Sequence, residues 1–140
     1  MGSPPFPLPG NAIQDPLLTT PAPTPGSYQL TVPSEPEQIA TVRLFVGAIA
    51  RLSDLDEVTI EDAKLAASEL VSAIVAAAVD PTITVTAEPR PGWVALVIEP
   101  WREGMGEEED FGALEIVGAL FASTTSEGSV LIEIAAPEDV

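Results

Sequence analysis

The chain is 140 residues long and carries 22 acidic against five basic side chains, a formal charge of −17, with no cysteine and no histidine. Such a field repels phosphate backbones and anionic membranes, which argues against nucleic-acid and membrane-surface partners and favours a basic one. Without thiols or imidazoles there are no disulfides, no thiolate or imidazole metal sites and no histidine base, so carboxylates are the remaining acid–base groups.

Ten of the 15 prolines fall in the first 36 residues. Residues 1–26 read as a disordered, polyproline-leaning tail, because proline removes backbone donors and blocks helix and central strand alike. The N-terminus lacks the basic region of a secretory signal, and no run reaches the roughly 18 apolar residues of a membrane span. A cytoplasmic protein is expected, with one folded domain over 27–137.

Order begins at SYQLTV, where Tyr28, Leu30 and Val32 alternate as in a strand. In SEPE, Ser34 as N-cap and Glu37 three residues on form a capping box for a first helix. That helix places Ile39, Val42, Phe45, Val46, Ile49 and Leu52 on one apolar stripe and stops around SDLD. A second helix opens at Thr59-Ile60-Glu61-Asp62 and runs to about Val79. Beyond Leu70 almost every side of it is apolar, so it is expected to be the central buried helix, ended by Asp80-Pro81. TITVTA (82–87) and WVALVIE (93–99) read as a hairpin joined by EPRPG, with Trp93 in the core. An acidic, glycine-containing loop follows at 101–110, then a short helix over 111–123 and a last strand, SVLIEIA, at 129–135. The order β-α-α-β-β-α-β predicts an α/β (α+β) two-layer sandwich, a mixed sheet with helices on one face.

One residue stands out in this pattern. Glu69 is the single acid within KLAASELVSAIVAAAV, and a carboxylate on so apolar a helix is costly unless it is paired or used.

The stretch RLFVGAIARLSDLDEVTIEDAKLAASELVSAIV resembles the first two helices of the anti-sigma-factor serine kinases of the GHKL (histidine-kinase/Hsp90-like) ATPase superfamily. The match is best in LAASELV, and the element order also fits that Bergerat-type fold. The resemblance implies that Glu69 occupies the catalytic position of a base or orienter for the attacking nucleophile. The family's magnesium-holding Asn lies one turn on, where this chain has Ala73. The family's Asp-x-Gly, whose Asp accepts a hydrogen bond from adenine, is matched by Glu99-Pro100-Trp101. The family's glycine-rich phosphate box becomes FGALEIV, with Phe111 and Ala113 at the glycines and Gly112 between them. A late Gly-Thr pair appears as Gly128-Ser129. Glu99, Gly112, Gly128 and Ser129 are therefore the cofactor-binding positions the resemblance implies, in a site expected to be degenerate. No cofactor and no metal are expected; ATP and magnesium would enter only if the chain were an active kinase.

Arg43 matches an Arg on the family's first helix that faces protein partners, and reads equally well as an ordinary solvated helix charge. Glu107, Glu108, Glu109 and Asp110 would repel a triphosphate where a nucleotide lid closes, and offer a basic partner a contact. The resemblance thus implies a regulatory protein that binds a sigma factor or its antagonist without ATP turnover, alone or as a homodimer. The competing expectations are an active serine kinase that phosphorylates an anti-sigma antagonist, and a scaffold whose proline-rich tail recruits a partner.

Overall fold

A computed structural model describes residues 26–105 and 112–137. The expected tail lies almost wholly outside these residues, as does the acidic run from Glu107 to Asp110. The elements are β1 (Tyr28–Pro33), α1 (Ile39–Leu52), α2 (Glu57–Ala77), β2 (Thr82–Arg90), β3 (Trp93–Trp101), α3 (Ala113–Leu120), β4 (Ala122–Ser126) and β5 (Gly128–Ala135). They form one five-stranded sheet in the order β1-β2-β3-β5-β4, with the helices on one face. The two-layer sandwich is as expected. Every pairing is antiparallel, however, where a mixed sheet was expected.

Strand alternation decides which side chains meet the helices. Val32, Ile83, Val85, Ala87, Val94, Leu96, Ile98, Val130, Ile132 and Ile134 are buried on the inner face. They pack under Val42, Val46 and Ile49 of α1 and Ile60, Ala63, Ala67, Leu70, Val71 and Ile74 of α2. The alanines of α2 let it lie close to its neighbours, which makes it the central helix. Its second half is less enclosed than the composition suggested: Ser72, Ala76 and Ala77 are exposed. Among the described residues no helix is long and apolar enough to cross a membrane.

Several local expectations are corrected. Pro36–Gln38 forms a short 3-10 turn before α1, its cap position is Glu35 without a side-chain bond, and the Ser34 hydroxyl is buried without a partner among the described residues. The Ser34 capping box does not form. Helix α2 starts two residues before Thr59, whose own hydroxyl is buried and unpaired among the described residues. It ends at Ala77, where Ala78 takes a left-handed φ of 53°, ahead of the expected proline stop. Leu52 is 61% exposed, because the core-facing stripe of α1 continues through Ala50 instead.

The β2–β3 turn is tighter than EPRPG implied. Arg90 pairs with Trp93, leaving Pro91 and Gly92 as the turn. Gly92 sits at φ 73° and donates its N–H to the Ser53 carbonyl at 2.8 Å, tying the hairpin to the end of α1. Trp93 faces away from the helices and lies under the Arg90 guanidinium, 5.6 Å from the ring centroid, so it is not a core residue. Strand β4 was missed altogether. Its sequence, ASTTS, has no apolar alternation, and all five residues are exposed at the sheet edge.

Candidate functional site

A cleft of about 570 Å³ opens between the end of β3, the start of α3 and the β4–β5 turn. Trp101, Arg102, Glu103, Gly104, Leu114, Thr125, Ser126, Glu127 and Gly128 line it. The volume falls within the range of small-molecule sites. Its position results from a break in β3: the pairing with β5 shifts register between Ile98 and Trp101, and Glu99-Pro100 is a cis peptide. Beyond the break the Trp101 indole turns inward, only 5% exposed, and forms one wall.

The same alternation carries Glu99 away from the site. Ile98 faces the helices, so Glu99 projects from the opposite face, exposed and across from Thr84. It cannot reach a ligand in the cleft. The residues that do line it, Arg102-Glu103-Gly104, also satisfy the Asp-x-Gly spacing, with Gly104 at φ 92°. In that register a guanidinium stands where the motif has its acid. Sequence reading missed this triplet because it took Glu99, the last residue of the expected strand, as the motif's acid, and the signal available was the pair of glycines in REGMG. Arg102 also reaches back to Asp80, just beyond α2, with its Nη2 2.9 Å from Oδ2.

The start of α3 is the second decisive feature. In a helix the first amides lack intrahelical partners, and with the helix dipole they form an anion site. Here the Gly112 N–H donates to Glu115 Oε1 at 3.0 Å, while the Glu115 N–H returns to the Gly112 carbonyl at 3.0 Å. The chain's own carboxylate therefore holds that amide. Gly112 is buried with φ −67°, a conformation open to any residue, and Ala113 is 7% exposed. Phe111 lies outside the described residues.

Glu69 lies half-buried on α2 between buried Ser68 and Leu70, and has no ion-pair or hydrogen-bond partner among the described residues. Partial exposure keeps its carboxylate hydrated, which removes the puzzle its setting raised. It does not line the cleft, nor does Ala73, which is partly buried one turn further along. Gly128 does line it, at φ 88° in the β4–β5 turn, whereas Ser129, paired with Ser126 across that turn, does not. Arg43 is half-buried and donates from Nη1 to Ser68 Oγ at 3.3 Å, so α2 already holds it. Of the expected site residues only Gly128 lines the cleft; Gly112 lies two residues before its Leu114, and Glu69, Glu99, Ser129 and Arg43 do not line it.

The model of the histidine kinase-like ATPase domain family matches residues 32–115, more than half of the chain. The chain belongs to that family. A comparison with curated proteins returned no match. The family's nucleotide and magnesium do not fit this histidine kinase-like domain well. The Ala73 methyl cannot ligate a metal, Arg102 cannot accept a hydrogen bond from an adenine amino group, and Glu115 occupies the α3 amide. Among the described residues no cluster of three or more acids is arranged to hold a metal ion. The cleft's remaining charges, Glu103 and Glu127, would repel a triphosphate further.

Proposed function

We propose that this domain is a regulatory binding protein of the anti-sigma type, one that holds a sigma factor or its antagonist by protein–protein contact in the cytoplasm and does not turn over ATP. The observation that carries the reading is the Gly112–Glu115 bond: the amide just before the helix terminus that would receive phosphate is held by a carboxylate of the chain itself. Ala73 and Arg102 point the same way from two other elements. A domain that keeps this fold while its nucleotide-binding positions carry other side chains retains its surface as the working part. The charge of −17 is complementary to the basic DNA-binding face of a sigma factor, and would speed encounter with it. The kinase reading keeps Glu69 and the ATPase-domain match in its favour.

Two measurements test this. Calorimetric titration with ATP and magnesium should give no binding heat, and the melting temperature should not move. A ligand at ten times its Kd would stabilise the native state by about 1.4 kcal/mol, which a melting curve resolves. Capture from the native host should recover a sigma factor or its antagonist. ATP hydrolysis, or consistent recovery of neither partner, overturns the proposal.

A further inference from the structure

The helical layer stops short of one edge of the sheet. Helix α1 lies over β2 and β3, and α2 over β3 and β5, while β1 is the edge strand beyond β2. The side chains that β1 turns toward the helices are covered less and less along the strand. Val32 is buried, Leu30 only partly, and Tyr28 is 44% exposed.

The side of α1 that looks toward β1 is mostly apolar. Arg43 bonds to Ser68 and Gly47 sits against Lys64, so those two positions face α2. The opposite side carries Thr41, Phe45, Ala48 and Leu52. Phe45 packs partly on the core, whereas Leu52 is 61% exposed. Tyr28 and Leu52 stand at the same end of the sandwich. Tyr28 pairs with Ala87 near the end of β2, and the Gly92 bond to Ser53 fixes the end of α1 there. A groove therefore runs beside α1, with Tyr28 and Leu30 as its floor and Phe45, Ala48 and Leu52 as its wall. A helix side facing water is polar unless something covers it.

Two observations indicate the occupant. The first is where the chain enters. Residues 1–25 lie outside the described residues and join the domain at Gly26, two residues before Tyr28. Gly26 stands in a turn at φ 88°, a conformation that lets the preceding chain fold back over the inner side of β1. Leu18 lies ten residues before Tyr28, a reach of about 30 Å in polyproline form. The 14 residues of α1 span about 21 Å. The whole groove is within reach.

The second observation is chemistry. Residues 1–25 hold eight prolines and the apolar Phe6, Leu8, Ile13, Leu17 and Leu18, but only one acid, Asp15, of the chain's 22. Against a domain this acidic, so weakly charged a segment meets little repulsion. Proline-rich segments dock in aromatic-lined grooves, because their preset φ leaves little entropy to lose. Tyr28 and Phe45 supply that lining.

We propose that residues 16–23, PLLTTPAP, fold back along this groove with Leu17 and Leu18 against Tyr28, Phe45 and Leu52. The leader that composition alone reads as disordered becomes a strap beside α1. The proposal is independent of the partner reading above and leaves the cleft free.

The full 140-residue chain permits a direct test, because it has no cysteine and a single tyrosine. A spin label on Thr41→Cys, an exposed position of the groove wall, should broaden the amide signals of Leu17 and Leu18. Fluorotyrosine gives one fluorine resonance, which reports on Tyr28. Replacing both Leu17 and Leu18 by Asp should abolish the broadening at these positions and shift the Tyr28 resonance. Leu52→Lys should do the same from the other side of the contact. Leu52 is exposed and in the last turn of α1, where a cation suits the helix dipole, so the fold should tolerate the change. Circular dichroism checks that it does. Leu17 and Leu18 signals untouched by the label overturn the proposal, as does broadening that survives both variants. Broadening at Phe6 and Leu8 in their place overturns the choice of segment. Broadening seen only between a spin-labelled copy and a separate isotope-labelled copy overturns the fold-back and assigns the groove to a second chain. A host protein captured by the wild type but not by Leu52→Lys, with Leu17 and Leu18 still sharp, overturns the strap and assigns the groove to that protein.

Discussion

The Glu115 carboxylate accepts the Gly112 N–H at 3.0 Å, so the first turn of α3 is capped from within its own helix. Glu115→Ala removes both the bond and a negative charge at the positive end of the dipole. A loss of about 0.5–1 kcal/mol is expected, with Glu115→Gln retaining part of it through its amide oxygen. Urea denaturation of the three proteins checks the order. A Glu115→Ala protein as stable as the wild type would show that the cap contributes nothing.

Opening one position should not restore nucleotide chemistry. Ala73→Asn returns a metal-ligating oxygen to α2, yet Trp101 still walls the cleft, Arg102 still stands at the motif's acid and Glu115 still holds the α3 amide. No ATPase or kinase turnover is expected from this variant in a radiolabelled phosphate assay. Turnover from Ala73→Asn alone would mean that the remaining obstructions do not obstruct.

The two leucines Leu65 and Leu70 share α2 and should differ sharply. Leu70 is fully buried among core side chains, and Leu70→Ala should cost about 2–5 kcal/mol through lost transfer energy and a cavity. Leu65, 39% exposed, should lose less than about 1 kcal/mol because its pocket is already open to water. Chemical denaturation midpoints at constant slope distinguish them.

Gly92 occupies the turn between β2 and β3 at φ 73°. A Cβ there meets no atom within 4 Å, so Gly92→Ala is penalised by backbone conformation alone, by about 1–2 kcal/mol. The Ser53 carbonyl, which accepts from the Gly92 amide, should exchange that bond for water if the turn opens. Faster hydrogen exchange at residue 92 in the variant would report it.

Arg43 and the acidic loop should affect partner binding through different rate constants. Neutralising Glu107, Glu108, Glu109 and Asp110 together should slow association, and the effect should fade with salt as the Debye length drops below about 8 Å. Arg43→Ala should chiefly speed dissociation, by leaving a partner carboxylate unpaired. In the isolated chain its effect should be slight, since Ser68 Oγ still donates to the Leu65 carbonyl at 2.9 Å. Stopped-flow and surface-bound kinetics on the captured partner separate the two; equal silence of both sets of changes would remove them from the interface.

Local pattern determined the elements with strong periodicity. The alternation of β1, β2, β3 and β5, the apolar repeat of α1 and the alanine-rich α2 follow from residue type and spacing, because each buries one face or stripe against a neighbour. The same residues carried the family likeness in LAASELV, which the family model matched over residues 32–115 bears out. Strand β4 was not legible, since an exposed edge strand buries no face and leaves no apolar alternation to read. Nor could the sequence place Glu99 and Trp93 on the outer face, or Arg102 in the cleft. Side-chain direction in a strand reverses with each residue, so one register break between Ile98 and Trp101 redirects everything after it. The exposure of Leu44 and Leu52 was likewise decided only by tertiary packing. A helix apolar on nearly every side does not say which side the sheet and α2 will take, and the side they left open is set by how α1 lies across them.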